Sequence, residues 1–191
     1  MTDSELTDKI KRGDQQAFKL LFDKYHVKVF STCMGFVHNK NDADDITQEV
    51  FIEVYKSANK FRGDSKLSTW LYRIAVNKSL NFIRDNKKSD WLRSIETIFT
   101  GSPSNELEKN HNSGYDPEMI MENKEKAEIL HQTIDSLPTN QKIAFTLNKY
   151  EDLYYKQISE VMDISLSSVE SLIHRAKKNL QKKLLNYYKK N

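Results

Sequence analysis

The chain has 191 residues, of which 38% are hydrophobic and 30% are charged, and its formal net charge is +3. This length accommodates one medium domain or two small ones, and the composition excludes a wholly disordered chain. The sequence contains no run close to the ~20 apolar residues that a membrane span needs. Since its first residues are also polar, we expect a cytoplasmic protein that does not insert into the membrane. The single cysteine, Cys33, excludes an internal disulfide and a zinc site made of cysteines.

The first half of the chain has helical periodicity and no sustained strand-like alternation. Gly13 interrupts the pattern, and Asp14 is suited to cap the helix that follows it. A later helix combines an apolar stripe with a neighbouring acidic stripe. The elements predicted here are a helix from Asp14 through Phe30, a helix at about 42–60, a loop at 61–65 and a helix at about 67–86.

The composition changes after Lys88. Residues 101–117 are rich in serine, asparagine and glutamate, contain two prolines, and support no packed element. A short helix at 91–99 is possible at the start of this stretch, and helical periodicity resumes near Met119 in four pieces. We therefore predict an all-α protein with two small helical domains, 1–90 and 121–191, joined by a flexible linker at 91–120.

The C-terminal domain contains the pattern of a helix-turn-helix. Residues 154–162 form a short amphipathic helix, 163–165 a tight turn, and a longer helix follows with apolar residues every three or four positions. Either Ser165 or Ser167 is suited to cap this second helix. Its opposite face carries hydroxyl and basic side chains, which can bond base edges or phosphates in a major groove. A plain helical hairpin with a solvated lysine face is the alternative.

Charge is segregated along the sequence. Residues 42–55 contain five acidic residues and no basic one, whereas residues 171–191 contain seven basic residues and no acidic one. Such segregation is expected when one part of a protein meets a basic partner and another part meets phosphate.

Two stretches resemble the sigma-70 family of RNA polymerase sigma factors, of the extracytoplasmic-function (ECF) type. The run DADDITQEVFIEVY, followed by FRGDSKLSTWLYRIAVNKSLNFIR, resembles their region 2. The run LPTNQKIAFTLNKYEDLYYKQISEVMDISLSSVESLIHRAKKNL resembles their region 4. The resemblance covers residues 10–88 and 125–186. It implies a protein that binds core RNA polymerase, recognises the −35 and −10 promoter elements, and melts the −10 region.

The resemblance also implies partners and site residues. Region 2 would dock on the clamp coiled coil of the largest core subunit, and region 4 would meet the flap of the second-largest subunit. An anti-sigma factor would be a further partner. The docking positions are Asp45, Gln48 and Glu49. The positions for the −10 DNA are Phe61, Lys66, Trp70, Arg73, Asn77 and Lys78. The positions for the −35 DNA are Ser168, Ser171, His174, Arg175, Lys178 and Lys182.

Two positions leave alternatives open. Trp70 has helical spacing with Ile74, so it is either a core residue or a platform on which a base stacks. Glu170 stands where many relatives have a basic residue. Its carboxylate can cap the helix or accept a hydrogen bond from a cytosine amine, but it would repel phosphate, so the −35 sequence of better-studied relatives does not carry over.

We find no catalytic constellation in the sequence, and we predict neither a cofactor nor a metal site. The five histidines are scattered without metal-ligand spacing, and there is no glycine-rich phosphate loop. A stand-alone helix-turn-helix regulator is the main alternative function, because it would explain the C-terminal pattern. A decoy that occupies polymerase without melting DNA is a second alternative.

Overall fold

The computed structural model describes the backbone of residues 2–100 and 117–189 and the side chains of residues 2–87 and 125–189. Helices, joined by short turns and loops, are the only regular secondary structure among these residues, which include no strand, and this confirms the all-α prediction. In chain order the elements are α1 (Asp3–Lys11), α2 (Gln15–Val37), α3 (Lys40–Ser57), a 3₁₀ turn (Ala58–Lys60), α4 (Leu67–Thr100), α5 (Pro117–Asp135), α6 (Thr139–Tyr150), α7 (Tyr155–Met162) and α8 (Leu166–Tyr188).

Side-chain caps fix the starts of the first three helices. As predicted, Asp14 caps α2, accepting hydrogen bonds from the backbone N–H of Gln16 at 2.9 Å and of Ala17 at 3.0 Å. Asn39 caps α3 in the same way. Helix α1 was not predicted; Thr2 and Glu5 form a reciprocal capping box at its start. Each cap satisfies backbone donors that have no partner inside the helix.

Helix α4 is longer than predicted. The sequence indicates an end near Asn86 and a separate short helix at 91–99, whereas one continuous helix extends to Thr100 and takes in the start of the predicted linker. At the other side of the linker α5 begins with Pro117, a residue well suited to the first helical position because it lacks an N–H. The rest of the predicted linker, 101–116, lies outside the described residues.

Helices α1 to α4 enclose the first hydrophobic core. Its central side chains come from α2, α3 and α4 and are at most 1% exposed: Leu21, Val29, Val50, Leu71 and Ala75. Helix α1 adds Leu6 and Ile10 to the edge of this core. The apolar stripe predicted for α3 is thus buried, and the neighbouring acidic stripe is left at the surface.

The two predicted domains pack against each other through a second core. Phe36 of α2, together with Tyr72 and Val76 of α4, belongs to the same buried cluster as Leu147 of α6 and Ile158 of α7. Helices α2 and α6 approach closely at Gly35, where an added Cβ would lie 2.6 Å from Cγ2 of Thr146. The sequence indicated two separate units and did not predict this contact.

A buried lysine supplies polar contacts at the same boundary. Lys142 of α6 is 5% exposed, and its ammonium donates to Asp135 Oδ1 at 2.6 Å and to the carbonyl of Phe36 at 3.2 Å. His38 Nε2 lies 3.3 Å from the same Asp135 oxygen. Since a buried charge requires partners, these contacts favour one relative position of α2, α5 and α6.

Adjacent leucines of α2 provide a matched test of the first core. Leu21 is fully buried and Leu20 is 54% exposed. We expect Leu21→Ala to lower the free energy of unfolding by about 2–5 kcal/mol, through lost burial and a residual cavity. Leu20→Ala should change it by no more than about 0.5 kcal/mol. Urea denaturation measures both; equal losses would contradict the described orientation of α2.

Candidate nucleic-acid interface

Helices α7 and α8 form the predicted helix-turn-helix. Helix α7 ends at Met162, and Asp163 adopts a left-handed conformation (φ 54°) that turns the chain towards α8. Ser165 caps α8, its hydroxyl accepting from the N–H of Ser168 at 3.2 Å, which decides between the two capping serines. The buried side chains Ile158, Val161, Val169 and Ile173 hold the two helices together.

The candidate −35 face of α8 is exposed along its length. All six predicted contact residues are solvent-exposed: Ser168, Ser171, His174, Arg175, Lys178 and Lys182. The buried residues Val169, Ile173, Ala176 and Leu180 lie on the other side of the helix. Arg175 folds back so that its Nε donates to the carbonyl of Ser171 at 3.1 Å. This face therefore presents hydroxyl and cationic groups to a phosphate backbone or to base edges.

The candidate docking face of α3 is also exposed. Asp45, Gln48 and Glu49 are all at the surface, on the helix whose other side is buried in the first core. Glu49 Oε2 lies 3.4 Å from Lys78 Nζ, and Glu53 Oε2 lies 3.9 Å from the same atom. Exposed ion pairs contribute only about 0–1 kcal/mol, so a basic partner could replace Lys78 at little cost.

The predicted −10 residues differ in exposure and in the groups that they contact. Phe61 is only 9% exposed, and its ring centroid lies 5.0 Å from that of the half-buried Trp70, which also packs on the first core. Lys66 is exposed, whereas Lys78 points towards the acidic residues of α3. Trp70 is therefore partly a core residue, and Lys78 points to a different side of α4 from Arg73.

Arg73 and Asn77 lie on the side of α4 that faces the helix-turn-helix. The guanidinium of Arg73 donates from Nη2 to the carbonyl of Glu160 at 2.6 Å and from Nε to that of Val161 at 3.1 Å. Asn77 is exposed in an open cleft whose other walls include Asn140 and Met162. Two residues predicted to contact DNA thus line the boundary with α7.

A buried carboxyl lies at the same boundary. Tyr72 of α4 donates its hydroxyl to Glu151 Oε2 at 3.1 Å, at the end of α6. Burial raises the pKa of Glu151, since the charged form loses hydration, and it also raises the pKa of Tyr72. Burial therefore favours the protonated form of Glu151, whereas the hydrogen bond from Tyr72 opposes protonation.

A second titratable cluster joins α2 to α5. The ring of His131 stacks on His38 with 4.0 Å between centroids. Burial opposes ionisation of Asp135, but hydrogen bonds from His38 and Lys142 outweigh it and lower its pKa to about 2. For His131, burial and then the neighbouring His38 lower the pKa. Within the described residues no group of three or more histidine, cysteine or acidic side chains is arranged to hold a metal ion.

Comparisons with known proteins match both halves of the chain. The family model for sigma-70 region 2 matches residues 21–89, and that for sigma-70 region 4 matches residues 127–180. The RNA polymerase sigma-H factor of Pseudomonas aeruginosa is 36% identical over 187 residues, covering 95% of this chain and 93% of the relative. The chain belongs to the sigma-70 family of RNA polymerase sigma factors.

Further relatives place this sigma factor in the ECF class. The ECF RNA polymerase sigma-E factor of Escherichia coli K12 is 34% identical over 189 residues, covering 96% of this chain and 95% of the relative. CnrH, solved in complex with the cytosolic domain of CnrY, has the same fold, with a TM-score of 0.67, 20% identity and coverage of 97% of both chains. The matches to both regions support a sigma factor and not a stand-alone helix-turn-helix regulator.

Sequence reasoning missed the residues at the boundary between regions 2 and 4 of this sigma factor. Gly35 lies outside the quoted runs; Tyr72, Lys142 and Glu151 lie within them, but nothing in those runs indicates their partners across the boundary, which are distant in sequence. Lys142, for example, bonds the carbonyl of a residue 106 positions away. No local pattern could have identified them, because each acquires its role only when α2 and α4 meet α6.

The buried carboxyl makes a pH-dependent contribution to stability. A carboxyl whose pKa is raised in the folded chain favours folding fully only below its ordinary pKa, and this contribution is lost as the pH rises through the raised value. We expect Glu151→Gln to be more stable than the wild type near pH 7, with the difference shrinking towards about pH 4. Urea unfolding across this range measures the effect.

The exposed Glu128 provides a control for that measurement. Glu128→Gln removes the same charge without removing a buried carboxylate, so its pH profile should follow that of the wild type. If the free energy of unfolding of Glu151→Gln and of the wild type changed with pH in the same way, burial would not raise the pKa of Glu151 as described.

Proposed function

We propose that this sigma factor binds core RNA polymerase through α3, captures the melted −10 strand with the 61–84 segment, and reads the −35 duplex with α8. The single observation that carries the proposal is that one chain exposes both the acidic face of α3 and the hydroxyl-bearing, basic face of α8. We further propose that it acts in the cytoplasm, catalyses no reaction itself and needs no cofactor. The described residues include no helix that is long and apolar enough to cross a membrane.

Docking on polymerase rests on Asp45, Gln48 and Glu49. The two carboxylates are four residues apart on one helix, so they project from the same side and can engage guanidinium groups together. The resemblance assigns these positions to the clamp coiled coil of the largest subunit, and region 4 to the flap of the second-largest subunit. The present partner of Glu49 is the partly exposed Lys78, which the clamp would displace.

Capture of the −10 strand would use residues on more than one side of α4. Trapping a flipped base costs a few kcal/mol, which stacking, hydrogen bonds and phosphate contacts must offset. Phe61 and Trp70 supply aromatic surface, Asn77 supplies a donor and an acceptor, and Lys66, Arg73 and Lys78 supply positive charge. Arg73 would first have to leave the carbonyls of α7.

An anti-sigma factor is a further proposed partner. Among the structures similar to this chain is the sigma factor RpoE in complex with the anti-sigma factor NepR from Bartonella quintana, with a TM-score of 0.58 and 17% identity over 87% of this chain and 96% of that one. At this identity the match establishes the fold alone, so the partner is carried over as a proposal.

Run-off transcription tests the proposed function. Purified core polymerase and this sigma factor are incubated with a library of genomic fragments from the source organism. We expect discrete transcripts that share two upstream sequence elements. Core binding without any transcript would contradict promoter recognition and favour a decoy.

Charge reversal at Glu49 tests the docking face. We expect Glu49→Lys to weaken core binding roughly tenfold or more, because a like charge would meet the basic clamp. Glu128→Lys in α5 makes the same charge change far along the chain and should bind normally. Affinity is measured by fluorescence anisotropy with labelled protein; unchanged binding by Glu49→Lys would place the docking face elsewhere.

Truncation of Arg175 tests the −35 face. If its guanidinium contacts a base, Arg175→Ala should weaken promoter binding by the polymerase–sigma complex by about 1–3 kcal/mol. Lys177→Ala is the matched control, because Lys177 is exposed but lies outside the candidate stripe of α8. Equal effects of the two substitutions would show that only general positive charge matters.

A further inference from the structure

Glu170 is the only acidic residue of α8, the helix proposed to read the −35 duplex. It is exposed, and it lines one open depression with Ser171, His174 and Arg175, three of the candidate −35 residues. All the lysine and arginine residues of α8 lie on its C-terminal side, between positions 175 and 183. A carboxylate therefore stands on the surface proposed to meet DNA, where it repels phosphate.

Neither capping nor ion pairing accounts for Glu170. The cap of α8 is Ser165, whose hydroxyl accepts from the N–H of Ser168, so Ser167 and Glu170 do not form a capping box. Glu170 is also the fifth residue of the helix, beyond the first turn in which the helix dipole favours an acid. Among the described residues no hydrogen bond or ion pair reaches its carboxylate. The carboxylate is thus free to accept from an external donor.

Glu170 lies in the part of α8 that would enter the major groove. In a helix-turn-helix the N-terminal residues of the second helix contact base edges. At a rise of about 1.5 Å per residue, Glu170 is about 7 Å from the start of α8, whereas Lys178 and Lys182 are about 12 Å and about 18 Å farther along. The carboxylate is therefore placed to meet a base edge, and the two lysines are placed to meet phosphates farther along the duplex.

A carboxylate distinguishes the four bases because it can only accept hydrogen bonds. In the major groove cytosine presents the N4 amine, a donor, and adenine presents the N6 amine beside the acceptor N7. Guanine and thymine present acceptors, which repel a carboxylate. A glutamate that faces a base edge thus favours cytosine, accepts adenine less well and rejects guanine and thymine, so attraction and repulsion both contribute to its selectivity.

From these observations we propose that Glu170 is a specificity-determining residue of this sigma factor: its carboxylate accepts a hydrogen bond from the N4 amine of a cytosine in the −35 element. The inference rests on the proposed function and adds the identity of one base to it. The cationic side chains farther along α8 offset the repulsion between the carboxylate and the phosphates.

Selection of −35 sequences by the polymerase–sigma complex provides the test. The promoter that gives the strongest run-off transcript serves as the duplex, with its −35 element randomised, and the bound fraction is sequenced. The wild type is compared with Glu170→Ala and with Glu170→Gln, whose amide suits N6 and N7 of adenine. Glu128→Gln is the matched control, because it removes the same charge from an exposed residue outside the helix-turn-helix.

We expect the wild type to prefer cytosine over guanine and thymine by roughly fivefold or more at one position of one −35 strand. Glu170→Gln should move the preference at that position alone to adenine, Glu170→Ala should remove it, and Glu128→Gln should keep the wild-type pattern. Circular dichroism should show unchanged helix content, since position 170 is exposed. Absence of any cytosine preference in the wild type, or the same preference in Glu170→Ala, would overturn the proposal.

Removal of the amine from the DNA gives a second measurement. A 2-pyrimidinone base in place of the selected cytosine lacks the N4 amine and keeps the ring. The wild-type complex should bind this duplex roughly fivefold or more weakly than the cytosine duplex, whereas Glu170→Ala should bind the two within about twofold. Equal losses would show that the effect arises from weaker base pairing, and they would refute a contact with Glu170.

General electrostatic repulsion predicts a different pattern. If Glu170 only repelled phosphate, Glu170→Gln and Glu170→Ala would bind every −35 sequence more tightly by the same factor, and the base preference would not change. That result would contradict the proposal. Failure of the proposed function is distinguished by the wild type, which would then give no transcript from any promoter. Failure of the present inference alone leaves wild-type transcription intact.

Discussion

The close approach of α2 and α6 at Gly35 is the constraint on which the arrangement of this sigma factor depends. With no side chain at this position, the Thr146 methyl group and the Tyr150 ring come within 2.8 Å of where a Cβ would stand. That approach places Phe36 in contact with the helices of region 4 and completes the second core. Any larger residue would separate the helices and expose the apolar surface on both of them.

Polar groups at this boundary determine which residues face each other. The Lys142 ammonium reaches a carbonyl of α2 and a carboxylate of α5, and Tyr72 reaches Glu151. Apolar packing alone tolerates sliding, whereas a buried charge or hydroxyl loses much of its stabilising effect if its partner moves away. The boundary thus combines apolar burial for stability with hydrogen bonds for a defined relative position.

One helix of this sigma factor, α4, contributes side chains to both cores. One side of α4 supplies Leu71 and Ala75 to the first core, while Tyr72 and Val76 enter the second core. Arg73 lies at the boundary between the regions, where two of its five N–H donors bind carbonyls of α7.

The sequence by itself determined the local elements and the family. The cap at Asp14 depends on residues within one helical turn, and so does the apolar periodicity of α3, α7 and α8. Interactions between residues that are close in sequence can be predicted from the sequence pattern. The motif strings around Trp70 and Ser168 similarly indicated an ECF sigma factor before the fold was known. The exposure of Asp45, Glu49 and the α8 stripe follows from the same periodicity.

Only the tertiary structure decided how regions 2 and 4 meet. The partners of Gly35, Arg73 and Lys142 are about 90 to 110 residues away in sequence. Whether Arg73 binds DNA or a helix end depends on which surface lies beside it, and a single residue type is compatible with both. The sequence indicates which side chains are able to form a hydrogen bond or an apolar contact. Packing determines their partners, because the burial of apolar surface selects which helices come together.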